Sequence, residues 1–126
     1  MASRVVTRHY DRVLAPMGLS TSSYSILSRT DREGPLPLGE LAGRLAMDRT
    51  TLTRELAPLV DAGLISATAC VDDKRKRIVT LTRKGSRLLE KARPLWADAQ
   101  RALTRDFGAA RTSALMQELH ALVGAA

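Results

Sequence analysis

The sequence predicts a mainly α-helical domain carrying one small β-hairpin, and three observations predict it. Apolar residues recur three or four positions apart through most of the 126 residues, the spacing of one helix face. Over Leu64–Val71 and Arg77–Thr82 the pattern changes to β-branched and alternating residues, with Asp72-Asp73-Lys74 between them as a turn. Helix-start residues (Ser20 or Thr21, Asp48, Thr82) and helix-stop residues (Gly18, Gly34-Pro35, Gly63, Gly108) fall where the pattern breaks.

Taken in order, Val6, Tyr10, Val13 and Leu14 mark a short first helix from Val5 to Leu14, ended by Pro16 and Gly18. Ser20 or Thr21 caps a second helix through Tyr24, Ile26 and Leu27. The third runs from about Leu38 to Ala46, with Leu38, Leu41, Ala42 and Leu45 on one side and Pro37 in its first turn, where no amide hydrogen bond is needed. Asp48 caps a fourth helix to Ala62, with Leu52, Leu56, Leu59 and Val60 inward and Gly63 as its stop. After the hairpin, Thr82 caps a long fifth helix through Leu88, Ala92, Leu95, Trp96, Ala99 and Leu103; Gly108 separates it from a sixth bearing Leu115, Leu119, Leu122 and Val123. Pro58 and Pro94 are expected to bend the fourth and fifth helices.

Length and 44% apolar content suit one domain with a modest core. The longest charge-free stretch, Val13–Ser28, is too short to span a bilayer and holds Pro16, Gly18 and six hydroxyl residues. Arg4, Arg8 and Arg12 interrupt the only region that could serve as a signal peptide. A cytoplasmic protein with no membrane association is expected. One cysteine, Cys70, and two histidines, His9 and His120, offer no metal-ligand spacing, and no cofactor or metal is expected. Paired carboxylates, a nucleophile with its base and a phosphate loop are all lacking, which argues against an enzyme.

The net charge of +7 is unevenly spread. Residues 72–87 hold seven cations and two acids, whereas residues 34–71 hold three cations and four acids. The excess therefore lies at the hairpin, where Lys74, Arg75, Lys76 and Arg77 stand side by side. A cationic tip beside a helix pair points to a polyanion. Two helices joined by a tight turn and followed by a hairpin make a winged helix-turn-helix, whose second helix enters the DNA major groove. At about 100° per residue from Leu52, Leu56, Leu59 and Val60 are expected to cluster near the origin, while Thr50 and Arg54 point outward. Arg54 suits guanine O6 and N7, and Thr50 and Thr53 can bond base edges or lay a methyl against thymine. Arg49 and Thr51, in the first turn beside free amides, suit phosphate.

The stretch LGELAGRLAMDRTTLTRELAPLVDAGLI followed by DDKRKRIVTLTRKG resembles the MarR family of bacterial transcriptional regulators, and the likeness covers nearly the whole chain. The resemblance implies one MarR-like domain over 1–126, with 19–85 a winged-helix DNA-binding lobe and 1–18 and 86–126 dimerisation helices. It implies that Thr50 and Arg54 contact bases and that Arg75 enters the minor groove, braced by Asp73, where a narrow A·T-rich groove has enhanced negative potential. Lys74 and Lys76 then add affinity through phosphates. Arg77 either joins them or pairs with an acid on the domain surface. Two departures stand out: the N-terminus is shorter than usual for the family, and Pro37 replaces a small hydroxyl residue that commonly holds a backbone phosphate.

A lobe that closes its own core from Leu19 to Leu81 leaves the apolar stripes of the first, fifth and sixth helices to be covered. The expected solution is an isologous homodimer. Many relatives bind small aromatic or phenolic acids between the dimer helices and the lobe, so His9, Tyr10, Arg12 and Tyr24 form a candidate effector pocket; the same residues serve equally as core or surface groups. Cys70 is either a half-buried small residue or an oxidation switch. The function these features predict is a sequence-specific double-stranded DNA-binding regulator, a repressor on a pseudo-palindromic operator, with ligand release. The alternative is a winged-helix protein-docking module without DNA readout.

Overall fold

The computed structural model describes residues 2–69, 72, 76–107 and 117. The expected sixth helix, His120, Cys70 and the tip residues Asp73, Lys74 and Arg75 lie outside the described residues. Helix α1 (Ala2–Leu14) passes through a 3-10 turn at Ala15–Met17 into α2 (Thr21–Glu33). Gly18 makes the change of direction at φ 72°, a left-handed conformation where a Cβ is disfavoured. Ser20 then caps α2 in a reciprocal box: its Oγ accepts from the Ser23 amide at 3.2 Å, and its own amide donates to Ser23 Oγ at 2.7 Å. A second cap comes from α1, since Asp11 Oδ1 accepts from the Thr21 amide at 2.6 Å.

Strand β1 (Leu36–Pro37) leads directly into α3 (Leu38–Arg44), followed by α4 (Arg49–Asp61). Strands β2 (Ile65–Ala69) and β3 (Arg77–Leu81) form the hairpin, and α5 (Arg83–Phe107) completes the described chain. The sheet has the order β1-β3-β2 and is antiparallel throughout. Ile65 faces Leu81 and Ala69 faces Arg77, while Leu36 pairs with Val79. The β1 strand was not anticipated: two residues are too few for a period-two pattern, and Pro37 is tolerated because it sits on an edge.

Three further expectations are corrected. Helix α3 stops at Arg44 rather than Ala46, because Ala46 leaves helical space at φ 54°. Val60, expected inward, is 39% exposed; at about 80° from the Leu52 direction it lies at the edge of the buried stripe. Finally, the stripes of α1 and α5 are largely covered within the single chain. Val6, Tyr10 and Leu14 from α1 and Leu89, Trp96 and Leu103 from α5 are buried in one cluster with the lobe core. The helix pair closes on α2 through Trp96, whose ring packs tilted on Tyr10 with centroids 3.9 Å apart and stacks on Tyr24 at 4.5 Å. Truncating an aromatic side chain buried this way costs about 3–5 kcal/mol. The ion pair between Arg93 and Asp31, at 2.7 Å, also joins α5 to α2. No helix among the described residues is long and apolar enough to cross a membrane.

Candidate nucleic-acid interface

The N-terminal half of α4 is presented outward because its other side is anchored. Leu52, Leu56 and Leu59 are buried, and Arg49, Thr50, Thr53 and Arg54 are exposed, with Thr51 half-buried. Both ends of the helix are fastened. At the start, Asp48 Oδ1 accepts from the Thr51 amide at 2.6 Å; that bond and then the Thr51 hydroxyl hold the Asp48 carboxyl below its ordinary range. At the end, Leu64 N donates to Leu59 O at 2.9 Å and Gly63 N to Val60 O at 3.0 Å, a Schellman closure with Gly63 at φ 77°.

Two details alter the sequence reading of this face. The expected Asp48 cap takes the Thr51 amide, so of the first-turn amides beside Thr51 that one is not free for a phosphate. Thr53 Oγ1 donates to Arg49 O at 2.7 Å, so the hydroxyl proton stays within the helix and only oxygen lone pairs and the methyl face outward. Arg49 lies against the start of α3: its Cζ is 3.8 Å from where a Cβ on Gly39 would stand. Sequence spacing offered no sign of that contact, which depends on how α3 and α4 cross.

The hairpin stands beside α4. Lys76 and Arg77 are exposed, and Arg77 shares with Arg49, Thr53 and Asp61 the wall of a cleft of about 460 Å³ floored by Leu56 and Val60. Arg77 of the wing and Arg49 and Thr53 of α4 thus line one cleft, with Asp61, the acid open to Arg77, in the same wall. Sequence reasoning missed the joint behind them. Lys84 Nζ donates to Ala62 O at 2.7 Å and Thr82 Oγ1 to Gly63 O at 2.6 Å, fixing the end of α4 to the start of α5. Thr82 Oγ1 also accepts from the Gly85 amide at 3.0 Å, the expected cap of α5.

The residues named for an effector are placed differently. Tyr10 and Tyr24 are buried on Trp96, and burial pushes the Tyr10 hydroxyl up to about 12 and the Tyr24 hydroxyl upward. His9 Nε2 donates to the Ala99 carbonyl at 3.0 Å, and Arg12 is exposed on α1.

Comparison with known proteins follows the same surface. A model of the MarR family matches residues 19–76, which include α3, α4 and the wing tip. The Mycobacterium tuberculosis transcriptional regulator MosR, solved in complex with DNA, is 33% identical with a TM-score of 0.80, and the alignment covers 98% of this chain and 88% of MosR. The chain belongs to the MarR family. As a MarR-family protein it is also similar to a MarR mutant from E. coli complexed with operator DNA, 26% identical with a TM-score of 0.81 over 94% of this chain and 86% of that one. A curated relative, the uncharacterised HTH-type transcriptional regulator YxaD of Bacillus subtilis, is 36% identical over 87 residues, 69% of this chain. The match spans 57% of YxaD, a little over half that relative's length.

Proposed function

We propose that this MarR-family chain is a sequence-specific double-stranded DNA-binding transcriptional regulator, acting as a homodimeric repressor on a pseudo-palindromic operator in the cytoplasm. The observation that carries the proposal is the exposed face of Arg49, Thr50 and Arg54 on a helix whose opposite side is buried and whose two ends are both capped. Rigid presentation of a guanidinium and hydroxyl methyls is what base-edge readout requires. In this reading Arg54, Thr50 and Thr53 meet bases, Arg49 and Thr51 the adjacent backbone, Arg75 braced by Asp73 the minor groove, and Lys74, Lys76 and Arg77 phosphates. Residues 19–85 form the reading lobe, and 1–18 with 86–126 the dimerisation helices. That MosR and the E. coli MarR mutant were solved with DNA supports the choice over a protein-docking module.

Release by a small aromatic or phenolic acid near His9, Tyr10, Arg12 and Tyr24 belongs to the same proposal. Because Trp96 packs on both tyrosines, such a ligand has to move the indole, and quenching or shift of the single tryptophan's fluorescence reports it. The function is tested by selecting binding sites from random duplex DNA at near-physiological salt. Enrichment of a pseudo-palindrome with half-sites one helical turn apart, roughly 34–36 Å, is expected. Recovery of unenriched sequence overturns the reading.

A further inference from the structure

The link between α3 and α4 contains a residue held in a conformation that its side chain opposes. Ala46 sits at φ 54°, in the left-handed region that suits glycine and that a Cβ resists. Leu45 before it and Leu52 after it are fully buried, so the chain has little freedom to turn elsewhere. The turn closes through Ala46 N to Gly43 O at 3.2 Å and Met47 N to Ala42 O at 2.9 Å.

A cluster centred on α2 grips this turn from outside. Arg29 Nη2 donates to the carbonyl of Arg44 at 3.2 Å, one of the terminal carbonyls of α3 that lack helical donors. Arg29 Nη1 donates to both Glu33 carboxylate oxygens at 3.3 and 3.4 Å, and Arg44 Nη1 reaches Glu33 Oε1 at 3.0 Å. One carboxylate therefore serves two guanidiniums. The Arg29 side chain is only 14% exposed, and its Nε is buried without a hydrogen-bond partner among the described residues. A buried N–H left unbonded disfavours the folded state, and a native structure that keeps such a group calls for a reason beyond the group's own stability. The reason on view is geometric: the fork spans the end of α2 and the last residue of α3, four positions before the Asp48 cap.

We infer that Arg29, Glu33 and Arg44 form a clip holding the strained α3–α4 turn, so that Arg29 and Glu33 are positioning residues for α4. Its effect on DNA rests on the proposed function, whereas its effect on the turn does not. The test uses the full chain, with amide exchange of Met47 and affinity for the selected duplex read side by side. Arg29→Ala speeds Met47 exchange and weakens binding, each about tenfold, the scale of a lost charge-assisted hydrogen bond. Glu33→Gln, at a part-exposed position and of similar shape, moves both readouts the same way by less, and carries the test should Arg29→Ala unfold. In an Ala46→Gly background the turn no longer needs holding, and both losses shrink to less than about threefold. A residue that merely adds overall stability gives equal losses in the two backgrounds, because independent effects add. Equal losses, or Met47 exchange unchanged by Arg29→Ala and Glu33→Gln, overturn the inference. A wild-type chain indifferent to duplex sequence defeats the proposed function instead, and Met47 exchange then decides the clip alone.

Discussion

Arg54, on the outward face of α4, and Lys76, just before β3, are both exposed cations, yet they carry different expectations. Arg54→Ala should cost about 1–3 kcal/mol on the selected site and relax one base position, while Lys76→Ala should weaken all sequences alike and lower the salt slope by about one. Fluorescence anisotropy with cognate and random duplexes over a salt series checks this; equal effects of both variants on both duplexes mean α4 does not read bases. Asp48 sets an acid limit. Its carboxyl is held below the ordinary range by the Thr51 amide, so its contribution is present above the unfolded value and fades as pH falls below about 4 through the lower folded value. Asp48→Asn, which caps without titrating, should flatten that acid limb in melts followed by circular dichroism. Tyr10 sets an alkaline limit of opposite sense: burial raises it to about 12, so stability is full below about 10 and is lost as pH rises between the two values. Tyr10→Phe should remove that loss, read as unfolding free energy against pH.

At the scale of elements, the joint between α4 and α5 decides how the reading helix is carried. Lys84, Thr82 and the Thr82 amide bond Ala62, Gly63 and Leu64 in turn, and Gly85 permits the approach. A Cβ there would stand 2.1 Å from Leu64 O and 2.7 Å from Leu81 Cδ1. Gly85→Ala should therefore destabilise the chain by about 1–3 kcal/mol or more in urea unfolding, and an unchanged midpoint would refute the tight packing. Helices α2, α4 and α5 were legible from their caps and periodicity, since Ser20, Asp48, Gly63 and Thr82 act through neighbours three or four residues away. The β1 strand, the early end of α3 and the exposure of Val60 were not. The strand needs a partner distant in sequence, Val79 for Leu36; the end of α3 follows from Ala46 turning to φ 54°, and Val60 lies at the edge of the buried stripe.

For the whole molecule, the described part of the chain buries most of the α1 and α5 stripes internally, leaving Val5 at 56% as an exposed large hydrophobic on α1. The proposed homodimer therefore does not follow from bare α1 and α5 stripes; it rests on the two-fold operator that an isologous pair of reading lobes would match. A homodimer at micromolar concentration is expected in analytical ultracentrifugation, and a monomer there removes the pseudo-palindrome from the proposal. The candidate effector residues show the same shift of scale: four polar aromatics and cations read as a pocket in one dimension, whereas Tyr10 and Tyr24 both pack on Trp96 in three.

What the sequence by itself determined was local: which segments are helices, where α2, α4 and α5 start, which face of Arg49–Asp61 is apolar, and where the cations gather. Those properties depend on residues within a turn or two of one another, so periodicity and capping chemistry suffice to read them. Tertiary structure alone decided that Arg49 rests over Gly39, that Lys84 closes the end of α4, that Trp96 packs on two tyrosines, and that Arg29 grips the turn before Asp48. Each of these joins groups from different elements, and their meeting follows from how the elements pack, which no spacing along the chain encodes.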